Sequence, residues 1–290
     1  MKSILTSPNR TRGTGSRAGT AVIFLILLLA GSFSLLPLVY SVVQSVKPME
    51  ELFVFPPRFW VSNPTAENYR ELFRLTDSLW VPFSRYLFNS AFVSLVGTVA
   101  YVLIASMAAY ALTIGRFHGR LLFNQIVVKA LLFSSPVLMV AQYLILSGAG
   151  MLNTYYAMIL PTLAAPLGLF LMRQFMEQMV PFAVIEAARI DGSSEWRTLW
   201  KIVMPMVRPA WLTLSIFTFQ SLWAGAGAAY IYKEEFKVLP TVLNQIASGG
   251  TARAGVAAAA SVLLILPPVV FFLLVQRRVI ETMSASGIKE

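Results

Sequence analysis

Long uncharged segments alternate with short charged ones along this chain, and the uncharged segments predict its architecture. A helix needs about 20 mainly apolar residues to cross the ~30 Å core of a bilayer. No charge lies between Arg17 and Lys47 or between Arg85 and Arg116. The predicted fold class is therefore all-α, a polytopic membrane protein. Its six predicted spans lie near residues 20–45, 87–113, 123–147, 155–175, 210–230 and 255–276.

Two loops on one side of the predicted membrane carry short amphipathic helices. After Pro64, the segment from Thr65 to Leu75 has helical apolar spacing. After the fifth span, Pro240 opens a second helix. Both helices are expected at the outer membrane surface, where they either cap the helix bundle or dock a partner. The apolar stripe of the second helix is Leu239, Val242, Leu243 and Ile246.

The charged segment 177–209 predicts two helices joined by a tight turn. The first begins at Pro181, runs through Ile190 and ends at Gly192, which suits a left-handed terminal position. Ala187 and its small neighbours would let another backbone approach, and Glu186 offers a charge beside them. Two interpretations stay open at this stage, a helix that docks into a partner and an ordinary surface loop.

The second helix of this segment is predicted to start after Ser193, with its hydroxyl as the N-terminal cap. Glu195 in the first turn complements the positive end of the helix dipole. Pro205 and Pro209 end the helix and lead into the fifth span. Its apolar stripe, predicted to pack on the ends of the spans, is Trp196, Leu199, Trp200 and Val203.

Composition supports a membrane protein and excludes several kinds of chemistry. Hydrophobic residues make up 57% of the chain and charged residues 12%, about half the charge of a soluble domain. There is no cysteine, and His118 is the single histidine, so we expect no disulfide, metal site or cofactor. No phosphate-binding G-x-x-x-x-G-K-[ST] sequence occurs, so the chain cannot hydrolyse ATP by itself.

The net charge of +10 fits either nucleic-acid binding or the positive-inside rule, and the apolar composition favours the rule. With six spans and both termini in the cytoplasm, 14 basic residues fall on the cytoplasmic side and 8 outside. We therefore predict cytoplasmic termini and no nucleic-acid partner. The first span is expected to be an uncleaved anchor, because its apolar run exceeds that of a signal peptide.

One motif in the charged segment resembles that of a known family. Glu186-Ala187-Ala188, Asp191-Gly192 and then Pro205 are similar to the EAA motif of binding-protein-dependent importer permeases. Leu152-Asn153-Thr154-Tyr155 and Ile159-Leu160-Pro161 resemble the maltose-type sugar permeases of that family. The resemblance implies a type I ABC importer permease fold. It would comprise a cytoplasmic tail at 1–17 and a transmembrane permease domain at 18–290, with the coupling loop at 177–209.

The resemblance also implies function and partners. The chain would form half of a sugar-import pore in a bacterial-type plasma membrane. Its partners would be a second permease, ATP-binding ATPase subunits, an extracytoplasmic solute-binding protein, the sugar and membrane lipid. Asp191 could either dock or cap and brace the turn, and we favour the second interpretation for it. The residues expected to couple the pore to the ATPase are Glu186, Ala187, Ala188, Asp191 and Gly192.

Candidate substrate residues within the predicted spans are Gln142, Gln220 and Trp223, because sugars need polar partners and aromatic faces. The alternative is that these side chains hold the helices together. The run from Leu222 to Gly227 lacks the polar pair that the family often has there. No Asp or Glu lies in a predicted span, which argues against a proton-coupled secondary transporter.

Overall fold

The computed structural model describes residues 17–115, 117–133 and 135–286, and within these ranges it is helical with no strand. Residues 1–16 of the predicted tail lie outside the described residues, and the first helix begins at Arg17. Arg116, Ser134 and residues 287–290 also lie outside them. The α-helices in chain order are α1 (Arg17–Ser45), α2 (Met49–Leu52), α3 (Glu67–Asp77), α4 (Phe83–Thr113), α5 (Arg120–Ala130), α6 (Ser135–Gly148), α7 (Tyr155–Leu163), α8 (Pro166–Met179), α9 (Phe182–Ile190), α10 (Glu195–Thr198), α11 (Met204–Met206), α12 (Arg208–Trp223), α13 (Leu239–Ala247) and α14 (Ala254–Ser286).

Three continuous helices in the described part of the chain are long and apolar enough to cross a membrane. They are Gly19–Ser45, Phe83–Thr113 and Thr251–Gln276. Two bent pairs pass the same test together, α7 with α8 at 41° and Glu195–Met206 with Arg208–Tyr230 at 83°. By length and composition the described residues thus supply up to five spans, and the predicted count of six is not confirmed.

The difference arises in the third predicted span, at 123–147. There α5 ends at Ala130 and α6 begins at Ser135, and the apolar part of α6, Val137–Gly148, is shorter than a full span. Pro136 is the second residue of α6. Proline restricts the residue before it and cannot donate a backbone hydrogen bond, so it fits the first turn of a helix better than a helix interior.

Helix α4 is the central helix of the bundle, and α1 lies at its edge. Nearly half of the most apolar stretch of α4 is buried, whereas none of the corresponding stretch of α1 is. Helix α4 packs on α7, α8 and α12, while α1 packs mainly on α14. Small residues such as Gly97 and Ala105 line the buried face of α4 and let its neighbours approach closely.

Buried clusters mark the two ends of the bundle. At the first, called the α9 end, Tyr110 of α4 packs with Ile185 of α9 and with Val203. At the other, called the α13 end, Leu72 of α3 and Leu243 of α13 share a cluster with α12 and α14. The whole predicted stripe of α13 is buried, so in this structure both amphipathic helices cap the bundle.

Candidate functional site

Helix α9 is closed at its C-terminal end by a pair of backbone hydrogen bonds. Gly192 N–H donates to Arg189 O at 3.0 Å, and Ser193 N–H donates to Ala188 O at 2.9 Å. Gly192 has φ of +74°, the left-handed conformation that this Schellman motif requires. Pro181 is the N-terminal cap, and α9 runs to Ile190. These features confirm the helix and the turn that the sequence predicts.

The two faces of α9 differ sharply in exposure. Ile185 and Ala188 are 1% and 6% exposed and belong to the face that packs on the bundle. Glu186 and Ala187 lie on the opposite, exposed face, and Ile190 is 87% exposed at the tip. Of the predicted coupling residues, Ala188 therefore supports the helix from beneath, while the others face outward or lie in the exposed turn.

The carboxylates of Glu186 and Asp191 have no partner within the described part of the chain. Both side chains are exposed, and neither forms an ion pair or a side-chain hydrogen bond there. The turn is closed by backbone bonds, so Asp191 does not brace it through its side chain. The exposed face thus presents two negative charges to any cationic group that approaches from outside.

A third carboxylate, Glu195, is fully engaged and joins α9 to α4. Its Oε1 lies 3.0 Å from both Nε and Nη2 of Arg189. Its Oε2 accepts a hydrogen bond from the buried hydroxyl of Tyr110, near the end of α4. The hydrogen bond from Tyr110, together with the bond and charge of Arg189, lowers the pKa of Glu195. We call these three residues the Glu195 clamp.

The sequence did not predict the clamp, because Glu195 was assigned only to the helix dipole and Tyr110 was not among the candidate residues. The available signal was a phenol near the polar end of an otherwise apolar span.

The second helical segment departs from the prediction in its cap and its middle. Ser194, not Ser193, is the cap, since its Oγ accepts from Arg197 N–H at 3.3 Å. Ser193 Oγ instead accepts from Thr198 Oγ1 at 3.1 Å. The segment then continues through a π-helical turn at Leu199–Val203. Leu199 and Val203 are buried as predicted, whereas Trp196 is 64% exposed.

A cavity of about 580 Å³ lies where α6, the α7–α8 bend and the turn after α12 meet. Gln142 and Tyr230 line it, and the Tyr230 hydroxyl donates to Gln142 Oε1 at 2.8 Å. Thr162 and Ser221 add further polar groups to its wall. Nearby, Asn153 Oδ1 accepts from the backbone N–H groups of residues 232 and 233 at 2.6 and 2.9 Å, which anchors the turn.

The other two candidate substrate residues lie elsewhere. Trp223 is buried, its Nε1–H donates to Leu264 O at 3.0 Å, and its ring stacks on Phe219 at 6.0 Å. Gln220 lines a separate cavity of about 230 Å³ beside α14. The structure thus does not bring the three residues together, and the environment of Trp223 matches the alternative of interhelical packing.

Comparison with known proteins identifies a family. The family model described as "Binding-protein-dependent transport system inner membrane component" matches residues 101–283. Protein LplC of Bacillus subtilis is 30% identical over 74% of this chain and 71% of its own length. The arabinooligosaccharides transport system permease protein AraQ of Halalkalibacterium halodurans is 31% identical over 64% of this chain and 66% of its own length.

A solved structure shares the fold. It is the crystal structure of a bacterial ABC transporter involved in the import of the acidic polysaccharide alginate. Its matching chain is 23% identical, with a TM-score of 0.74 over 90% of this chain and 98% of that one.

The Glu195 clamp predicts a pH-dependent contribution to stability. The pKa of Glu195 in the folded protein lies below the ordinary value of 4.5, so the ionised clamp stabilises the fold at and above that pH. The contribution disappears as the pH falls through the lowered pKa. At neutral pH we expect Glu195→Gln to lower the unfolding free energy by roughly 1 kcal/mol, since the group is partly exposed.

Thermal unfolding in detergent at several pH values measures this effect. The gap in melting temperature between the native chain and Glu195→Gln should close below pH 4.5. Glu186→Gln is the matched control, because Glu186 makes no bond within the described chain, and it should show no gap. A gap for Glu195→Gln that persists unchanged in acid would contradict the clamp.

Proposed function

Because this chain belongs to the family of binding-protein-dependent transport system inner membrane components, we propose that it is one permease subunit of an ATP-driven importer. It forms half of a translocation pore for a sugar or oligosaccharide that an extracytoplasmic binding protein delivers. The named arabinooligosaccharide relative supports a carbohydrate substrate. The observation that carries the proposal is the exposed face of α9 and its closed turn, which present the carboxylates of Glu186 and Asp191 without partners among the described residues.

The proposed topology has six crossings of a bacterial plasma membrane, with both termini in the cytoplasm. In this arrangement α5 and α6 together form one broken span, α7 and α8 form another, and α12 begins the fifth span after the bend at Arg208. Irregular backbone at membrane depth is tolerated where protein surrounds it or where it lines a cavity. The α9 end then faces the cytoplasm, in agreement with the excess of basic residues predicted on that side.

ATP is hydrolysed on a separate chain in this scheme, and α9 is the helix that docks there. Ala187 lets the backbone of the partner approach, and Ile190 offers an apolar anchor at the tip. Glu186 and Asp191 would pair with cationic groups of the ATPase. A charge-assisted hydrogen bond of this kind contributes about 1.5–3 kcal/mol, enough to fix the register of a short helix in a cleft.

The Glu195 clamp transmits the movement of α9 into the bundle. When α9 shifts as a rigid body, Arg189 moves with it. The ion pair between Arg189 and Glu195 and the hydrogen bond between Glu195 and Tyr110 then carry the displacement to α4. Helix α4 packs directly on α8 and α12, so the membrane helices move together. Closely packed interfaces switch between discrete arrangements rather than deforming gradually, as alternation between inward-open and outward-open states requires.

Single-cysteine crosslinking tests the docking face, because the native chain contains no cysteine. In the intact complex we expect Ala187→Cys to crosslink to the ATPase subunit, since this side chain is exposed. Ala188→Cys is the matched control one residue away, and its 6% exposure should prevent capture. Equal crosslinking to the ATPase subunit from both positions, or no crosslinking from Ala187→Cys, would contradict the proposal.

A second variant tests the charge of the docking face. We expect Glu186→Gln to reduce sugar uptake at least about tenfold in proteoliposomes, because the lost charge-assisted bond costs about 1.5–3 kcal/mol. Membrane insertion and melting temperature should not change. Glu177→Gln is the control, since its carboxylate lies on the same loop but pairs with Arg173 within the chain. Unchanged uptake and ATPase coupling in Glu186→Gln would exclude a coupling role for this residue.

The cavity that contains Gln142 is the proposed contribution of this chain to the sugar pathway. It combines an amide and hydroxyls with the apolar walls typical of small-molecule sites. The hydrogen bond between Tyr230 and Gln142 holds the amide in a fixed orientation. A role for Gln220 stays a prediction, and Trp223 contributes by fixing α12 to α14.

Uptake kinetics separate the two cavities. We expect Gln142→Ala to raise the sugar concentration at half-maximal uptake about fivefold, the cost of one hydrogen bond. Gln220→Ala should leave that concentration unchanged, because Gln220 lines the separate cavity beside α14. If Gln220→Ala raises this concentration and Gln142→Ala does not, the sugar pathway instead lies on the α14 side of the bundle.

A further inference from the structure

An apolar groove runs along the outside of α4 at the α9 end of the bundle. It holds about 600 Å³ and lies between α4, the turn before α12, and α14. Its wall on α4 extends from Leu95 through Val99 to Leu103, about 12 Å at 1.5 Å per residue. These three side chains are 39–59% exposed, so the groove opens sideways towards whatever surrounds the bundle.

One end of this groove carries a positive charge that has no ion-pair partner among the described residues. Arg208 lines the groove and is half-buried, yet it forms no ion pair within the described part of the chain. Trp200 also lines the groove, and its buried Nε1–H finds no acceptor there. A buried donor without an acceptor costs roughly 1–3 kcal/mol, so Trp200 favours an external acceptor, and the positive charge of Arg208 on the same groove favours an anionic one.

The position of Arg208 fits the headgroup layer of a membrane. Arg208 is the first residue of α12, at the 83° bend where the chain turns from the end of the bundle into a membrane helix. Three tryptophans cluster around this corner, Trp200 and Trp211 in the groove and Trp196 in edge contact with Trp200 at 5.6 Å. Tryptophan is enriched at the level where headgroups meet hydrocarbon.

We propose that this groove binds one anionic phospholipid, with its phosphate at Arg208 and Trp200 and an acyl chain along Leu103, Val99 and Leu95. A charged site at one end and a long apolar wall behind it match the two parts of such a lipid. Lys201, on the preceding helical segment, also lacks an ion pair among the described residues and adds positive potential at this face. This inference does not depend on the transported substrate.

Lipid retention measured by native mass spectrometry tests the proposal. The protein is purified from its membrane with the subunits that remain bound, and phosphatidylglycerol or phosphatidylcholine is then added. We expect phosphatidylglycerol to be retained preferentially, and Arg208→Gln to reduce its retention about fivefold, as for one basic residue at a membrane surface. Arg197→Gln is the matched control, since Arg197 lies outside the groove, and it should retain lipid nearly as well.

Further arms distinguish the possible occupants. Val99→Trp fills the apolar wall and should displace phosphatidylglycerol without loss of the bound subunits, which also tests the site if Arg208→Gln fails to fold. Millimolar inorganic phosphate should not displace the lipid. Equal retention of the two lipids, full retention in Val99→Trp, or displacement by free phosphate would each overturn the proposal. Dissociation of another membrane subunit by Val99→Trp would show that a protein helix occupies the groove.

Discussion

The carboxylate of Glu195 joins the water-exposed part of this protein to the part that must remain in lipid. One oxygen pairs with Arg189 at the end of α9, and the other accepts from Tyr110 near the end of α4. The membrane helices cannot expose their backbone to lipid, so they move as intact bodies. In the proposed coupling, a soluble partner acts on them through an attachment at the bundle end, and the bonds of Glu195 to Arg189 and Tyr110 supply such an attachment.

The buried face of α9 holds the helix on the bundle, and the opposite face is exposed. Full burial of an isoleucine such as Ile185 stabilises by about 1.5–3 kcal/mol, which keeps this nine-residue helix on the bundle. An isolated helix of this length would be marginal in water. Since the buried face fixes the helix, the opposite face can consist of small and charged residues that contribute little to folding. In the proposed docking, the partner would therefore bind a helix that is already formed.

The cavity at Gln142 and the groove at Arg208 differ in chemistry, and the difference suits the two proposed roles. The cavity at Gln142 is lined by an amide and hydroxyls, which match a hydroxyl-rich solute. The groove at Arg208 is apolar along most of its length and charged at one end, which matches an amphiphile. Each binding proposal therefore depends on how the polar groups that line the cavity match those of the ligand, and not on the volume of the cavity.

The sequence alone determined those features that depend on residues near one another in the chain. The length of apolar runs identified α1, α4 and α14, helical spacing gave the buried face of α13, and Gly192 marked the turn after α9. The EAA spacing indicated the family that the comparisons then showed. Run length could not reveal the break between α5 and α6, because an uncharged segment has the same composition whether its helix is continuous or divided.

Only the tertiary structure decided which side chains meet across long stretches of sequence. Tyr110 and Glu195 are 85 residues apart, and Trp223 reaches the carbonyl of Leu264 across 41 residues. It also turned Ala188 inward and Ala187 outward, although the two alanines are adjacent and identical. The physical reason is that hydropathy and turn preference are properties of a local segment, whereas a hydrogen-bond partner or a buried face exists only once several helices have packed.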